Sequence, residues 1–66
     1  MSQVFVTVEY QTPAYVDNYH TEIIPLGELD LIEDRAIILE RVREIKAEFE
    51  SVWFVERIFV SELIDG

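Results

Sequence analysis

The stretch that decides the fold is Ser51–Leu63, SVWFVERIFVSEL. Seven of the nine residues from Val52 to Val60 are β-branched or aromatic, and they do not alternate with polar residues. A continued helix through this stretch would be apolar nearly all round, which a chain of 66 residues could not cover, and the composition favours a β-strand. The sequence therefore predicts a strand with two apolar faces, and the second face needs a cover.

Two arrangements of this strand are compatible with its pattern. A regular strand places two sets of side chains on opposite faces, with Val52, Phe54, Ile58 and Val60 on one and Trp53, Val55 and Phe59 on the other. A β-bulge at Glu56-Arg57 changes the phase and puts Trp53, Val55, Ile58 and Val60 on one side. Both arrangements leave at least one large aromatic residue on the outer face, together with Phe5 of the first strand.

Two further strands are indicated before the helix. From about residue 3 to 10, Val4, Val6, Val8 and Tyr10 alternate with Phe5, Thr7 and Glu9, which is typical of a half-buried strand. A second strand is predicted at about 19–26, where Pro25 fits a strand end or an edge because it has no N–H to donate. The residues between them favour a rather long hairpin loop.

A helix is predicted at about 31–50, where neither Gly nor Pro occurs. We expect Asp30 to accept a hydrogen bond from the N–H of Glu33 while Glu33 reaches back to Asp30, as in a capping box. One apolar stripe follows the helical period, formed by Leu31, Ile38, Val42, Ile45 and Phe49 and widened by Ile32 and Leu39. Glu40, Glu44 and Glu48 occupy the other side with Arg41.

These elements predict a single α+β domain of order ββαβ. With the simplest connections the third strand, at about 51–62, lies antiparallel beside the first, so that the sheet has the order 2-1-3 and one helix covers one face. A chain of this size buries only about 60% of its unfolded surface, so small domains normally need disulfides, a metal or association. Without cysteine and with one histidine, the chain has neither disulfides nor enough ligands for a structural zinc site, so self-association remains. A homodimer is expected, and a different protein is the alternative cover for the apolar third strand.

Charge narrows the classes of partner. The net charge is −9, and residues 1–34 contain seven acids without a single Lys or Arg. Such a field repels phosphate backbones and anionic lipids, so direct binding of nucleic acid or membrane is not expected, while a basic protein is attracted. Because the N-terminus resembles no signal peptide and no segment is long and apolar enough to span a bilayer, we expect a cytoplasmic protein.

Catalysis and cofactor binding are not expected from this sequence. The single histidine, His20, could act as a base oriented by Asp17 or Glu22, but the simpler interpretation is a polar residue at a strand end. The chain lacks a nucleophile motif, a phosphate-binding glycine loop and the spacing of a calcium loop. No catalytic residue, metal site or cofactor is therefore assigned.

Two functions remain. In the first, the protein is an acidic inhibitor or modulator of a basic, nucleic-acid-binding partner, and its carboxylates stand in for phosphates. Small acidic inhibitors of this kind are common in phages and mobile elements, where the cytoplasm would be that of a host cell, although no motif ties the chain to a family. The acidic surface expected for this function comprises Glu9, Asp17, Glu22, Glu28, Glu33, Asp34, Glu40, Glu44 and Glu48.

In the second, the protein is a structural or assembly subunit. The apolar third strand drives oligomerisation, and the charge only maintains solubility. The interface expected for association comprises Phe5, Trp53, Phe54, Val55 and Phe59. Both functions can coexist, because a dimer can present two acidic surfaces.

Overall fold

A computed structural model describes residues 2–13 and 19–64. It contains three strands and one helix, which are β1 (Ser2–Gln11), β2 (Tyr19–Glu28), α1 (Arg35–Glu50) and β3 (Phe54–Ile64). Both neighbours of β1 are antiparallel to it, and the sheet order is β2-β1-β3. The predicted ββαβ arrangement with order 2-1-3 is confirmed.

The central strand β1 separates two very different sides. Val4, Val6 and Val8 are fully buried and Tyr10 nearly so, and Ile38 and Ile45 of the helix are also buried. Val6, Val8 and Tyr10 pack with Ile45 in one core cluster. The helix lies over β1 and β3. We call this the helix side of the sheet, and the opposite side, which the helix does not cover, the open face.

A β-bulge sets the phase of β3. Glu9 pairs with Arg57 and Tyr10 pairs with Val55, so that Glu56 has no partner on β1. The extra residue returns four side chains to the helix side, where they pack against the core: Trp53, Val55, Ile58 and Val60. The bulged alternative is therefore correct, and the regular strand that placed Phe54 with Ile58 and Val60 is wrong.

Aromatic rings close one end of the core. The Tyr10 ring lies 5.1 Å from that of Phe49 in an edge-to-face arrangement and 5.9 Å from that of Trp53. Its other neighbour is the His20 ring of β2, stacked at 5.5 Å. Such ring pairs stabilise the fold beyond the burial of their apolar surface, because ring edges and ring faces carry opposite partial charge.

The helix begins at Arg35, four residues later than predicted. Asp30 Oδ1 accepts the N–H groups of Ile32 and Glu33, each at 2.8 Å, as the sequence indicated for Glu33. The return bond comes from Asp34 instead of Glu33, since Asp30 N–H donates to Asp34 Oδ2 at 2.8 Å. Residues 31–34 thus form a turn held by two aspartates.

The predicted apolar stripe is narrower than expected. Ile38 and Ile45 are buried, and Val42 and Phe49 pack against the core. Three residues assigned to the stripe are instead exposed: Leu31, Ile32 and Leu39. Leu31 and Ile32 belong to the turn before the helix, which explains why the helical period does not carry them to the sheet.

The strand ends differ slightly from those predicted. β3 begins at Phe54 instead of 51, because the N–H groups of Ser51 and Trp53 still donate to carbonyl groups of the helix, Ala47 O at 3.1 Å and Phe49 O at 2.7 Å. β2 is an edge strand, which accommodates Pro25 as expected, and extends to Glu28. In residues 2–13 and 19–64, no helix combines the length and apolar character needed to cross a membrane.

Candidate protein interface on the open face

The open face is built from the alternate residues of all three strands. Since Val4, Val6, Val8 and Tyr10 point to the helix, the odd-numbered residues of β1 point away from it. Their cross-strand partners share this face and form successive layers, written here in the order β2, β1, β3. These are Thr21, Glu9 and Arg57; Ile23, Thr7 and Phe59; Pro25, Phe5 and Ser61; and Glu28, Gln3 and Leu63.

The middle of the open face is apolar and shallow. Phe5 and Phe59 are only half-buried, and Ile23 and Leu63 are each 62% exposed. Thr7 is the exception, at 8% exposed, because its short side chain lies between those of neighbouring strands. The centre is therefore a low floor between larger apolar side chains, and a depression runs across it past Phe5.

The charged layer closes one end of this apolar centre. The guanidinium carbon of Arg57 lies 4.5 Å from the centroid of the Phe59 ring, a cation–π contact. The same guanidinium reaches Glu9 across the strands, with Arg57 Nη1 4.0 Å from Glu9 Oε1. Both side chains are exposed, so solvent screens the pair and its contribution to folding is small.

The five residues predicted to form an interface are divided between the two sides. Phe5 and Phe59 lie on the open face, and Phe54, opposite Gln11 at its end, is 69% exposed. Trp53 and Val55 instead lie on the helix side and pack against the core, because the bulge reverses the phase of β3. An interface on the open face therefore contains three of the five.

Several residues of the open face were not predicted to belong to an interface, among them Ile23, Leu63, Thr7 and Arg57. The signal for Ile23 was ambiguous, because Ile23 and Ile24 are adjacent and either could have faced the core. Leu63 lay beyond the predicted end of the third strand. Arg57 required the bulge, since only the shifted phase places it beside Glu9 and Phe59.

The predicted acidic residues occupy separate places. Glu40, Glu44 and Glu48 follow one another along an exposed row of the helix, and Arg41 pairs with Glu44 at 3.6 Å. Glu9 is on the open face, across the sheet from the helix. Glu22 lies on the helix side of β2, Glu28 lies on the open face at the end of β2, and Glu33 and Asp34 lie in the turn before the helix. Asp17 lies outside the described residues.

Two polar residues, His20 and Asp30, make local contacts within the fold. His20 is exposed and stacks on Tyr10. Among the described residues, no three His, Asp or Glu side chains are grouped to hold a metal ion. The hydrogen bonds from the N–H groups of Glu33 and Ile32 lower the pKa of Asp30 below its ordinary value, which is the signature of a structural cap.

The open face thus has an apolar centre that the helix does not cover. No protein-family model, no curated protein and no solved structure matches the chain.

Proposed function

We propose that the protein is a non-enzymatic assembly module that forms a homodimer through the open face of its sheet. The observation that carries this proposal is the uncovered apolar centre around Phe5, Ile23 and Phe59. Large exposed apolar patches on small proteins mark interaction sites, because leaving them in water costs free energy.

The accessible surface of the chain is larger than that of a compact monomer. The chain exposes 5082 Å², whereas a compact monomer of 7.8 kDa is expected to expose about 4,400 Å². A partner of standard size would bury roughly 800 Å² on each chain, so there is surface enough for such an interface.

A second copy suits this surface for an electrostatic reason. Two chains of net charge −9 repel each other, so association is least opposed where a face carries little net charge. The central layers of the open face contain no charged side chain. The layers on either side of them contain two acids and one base, Glu9 and Arg57 at one end and Glu28 at the other, so this face carries little of the net charge. The helix row of Glu40, Glu44 and Glu48 would then point outward on both sides of the dimer.

Sedimentation equilibrium of wild type and two matched lysine variants tests the proposal. Ile23→Lys places a charge on the open face, and Ile37→Lys places the same charge on the helix at a similar exposure, 62% against 53%. We expect wild type to remain dimeric at high salt, Ile23→Lys to dissociate and Ile37→Lys to stay dimeric. A monomeric wild type, or a dimer that Ile23→Lys leaves intact, contradicts the proposal.

A second function is favoured by the helix row. Glu40, Glu44 and Glu48 are spaced by four residues and therefore lie about 6 Å apart along the axis. A regular line of carboxylates on a protein of charge −9 is suited to a basic groove that normally holds phosphates. As the alternative, we propose that the protein inhibits a nucleic-acid-binding protein in the cytoplasm by charge mimicry.

This alternative predicts binding that weakens steeply with salt. Nucleic-acid-binding proteins from the source cell are titrated with wild type and with a variant in which all three glutamates become glutamine. The matched control replaces Glu50, Glu56 and Glu62 by glutamine, which removes the same charge elsewhere. Equal binding by both triple variants, or binding insensitive to salt, contradicts charge mimicry.

A further inference from the structure

The layers of the open face specify how two copies fit together. We infer that the two-fold axis of the dimer runs parallel to the strands between β1 and β3, so that β1 of each chain lies over β3 of its partner. This inference rests on the proposed homodimer and adds its register. Two sheets packed face to face lie about 10 Å apart, close enough for their side chains to interdigitate.

Side-chain size is complementary in this register. The rotation exchanges the β1 and β3 members of each layer, so Phe59 faces the partner's Thr7 and Phe5 faces the partner's Ser61. Each large ring therefore meets a small side chain. Thr7, which forms the low floor between Ile23 and Phe59, leaves space for the ring of the partner's Phe59, and this ring also flanks Ile23. Strand β2 itself has no strand of the partner directly opposite it. Alternation of large and small residues is what allows two faces to fill the space between them.

Charge is complementary in the same register. Glu9 of each chain faces the partner's Arg57, so the charged layer contributes two opposite-charge contacts between chains. Within one chain the pair is long, at 4.0 Å, and exposed. Covering this end of the face with a partner would remove solvent from the pair and from the Arg57–Phe59 contact, which strengthens both.

The other symmetric registers lack this match. An axis through β1 places Glu9 over the partner's Glu9 and Phe5 over the partner's Phe5, which brings like charges and two large rings together. An axis across the strands, between the two apolar layers, keeps the size match, with Phe59 over the partner's Ser61 and Phe5 over the partner's Thr7. It loses the charge match, because Arg57 then lies over the partner's Leu63 and Glu9 over the partner's Gln3. Of these three registers, the one between β1 and β3 matches both size and charge.

Charge reversal in separate chains tests the register. The protein is prepared as wild type, Glu9→Arg, Arg57→Glu and an equimolar mixture of the two variants, and dimer dissociation constants are measured at low salt. We expect each variant alone to dissociate about tenfold more readily, because two attractive contacts become repulsive. In the mixture, both arginines of one chain would meet glutamates of its partner, so heterodimers should form at wild-type affinity.

The controls separate the possible outcomes. Glu22→Arg and Arg43→Glu make the same charge changes off the open face, and circular dichroism establishes that every variant is folded. Single variants that dissociate no more than these controls overturn the register but leave the homodimer standing. Single variants that dissociate without pairing in the mixture also overturn it, because the ion pair then acts only within a chain. A monomeric wild type overturns the homodimer itself.

Discussion

The two faces of this sheet are built from the same three strands but differ in composition and in how they are covered. On the helix side, Val4, Val6 and Val8 of β1 are completely removed from water by α1. On the open face, Phe5 is as apolar as these valines but is only half-buried. The difference shows that one helix of 16 residues covers one side of a three-stranded sheet, and that the second apolar side of β3 has no cover within the described chain.

The largest expected effect is on the covered side. Ile45→Ala removes a buried side chain and leaves a cavity, so we expect the free energy of unfolding to fall by about 2–5 kcal/mol. Urea denaturation followed by circular dichroism measures the loss. Ile37→Ala is the matched control, because Ile37 is exposed on the same helix and its truncation should cost less than about 1 kcal/mol. Similar losses for both variants would show that the helix does not pack as described.

We expect substitutions on the open face to change the dimer dissociation constant more than the free energy of unfolding. Phe59→Ala removes the ring that faces the partner in the proposed dimer, along with its contact with Arg57. We expect the dimer dissociation constant to rise about 30-fold, which corresponds to roughly 2 kcal/mol for a central aromatic residue. Sedimentation equilibrium gives the constant, and Leu39→Ala serves as an apolar control on the helix. An unchanged constant for Phe59→Ala would place the contact elsewhere.

Gly27 near the end of β2 has a backbone conformation that residues with a side chain adopt only with strain. Gly27 has a φ of 94°, at the irregularity where β1 and β2 change register, and an added Cβ would meet no atom within 4 Å. The cost of Gly27→Ala is therefore conformational, and we expect it to lower the free energy of unfolding by about 1–2 kcal/mol. Gly27→Asn should lose less, because asparagine tolerates this region better. Equal losses for both would point to another cause.

The smallest effect is the pH response of the turn that leads from the sheet to the helix. The lowered pKa of Asp30 means that its contribution to stability is complete above the ordinary value of 3.8 and disappears as pH falls through the lower folded-state value. We expect Asp30→Asn to be less stable than wild type at neutral pH and the two to converge in strong acid. Urea midpoints across this pH range measure the difference, and a constant difference would contradict the assignment.

Much of the fold could be predicted from the sequence because periodicity reports burial directly. The alternation of β1 and the helical spacing of Ile38, Val42 and Ile45 each specify an element and its buried side. The start of the helix could not be predicted to the residue, since Asp34 and Glu33 are both able to return the bond to Asp30. In the structure Asp34 accepts this bond, with a side chain that is shorter than that of Glu33 and lies one residue further along the chain.

The candidate interface was less predictable than the fold. Its residues come from three strands, and their grouping depends on the pairing of Thr7 with both Ile23 and Phe59. Such pairing is a property of the assembled sheet and has no counterpart in local composition. Trp53 and Val55 were assigned to the interface for the same reason, because a bulge is set by tertiary pairing, and no local pattern fixes its presence.

The unpaired Glu56 allows β3 to lose one residue without exchanging its two sides. Arg57 and Val55 pair with the consecutive residues Glu9 and Tyr10, so deletion of Glu56 alone would leave an uninterrupted ladder with Trp53 and Val55 still beneath the helix. If Glu56 were kept and paired with Tyr10, Trp53 and Val55 would move to the open face and Phe54 would lie beneath the helix. In evolution, loss of this single codon would therefore preserve the division between interior and open face, whereas loss of the bulge with the residue retained would exchange the two.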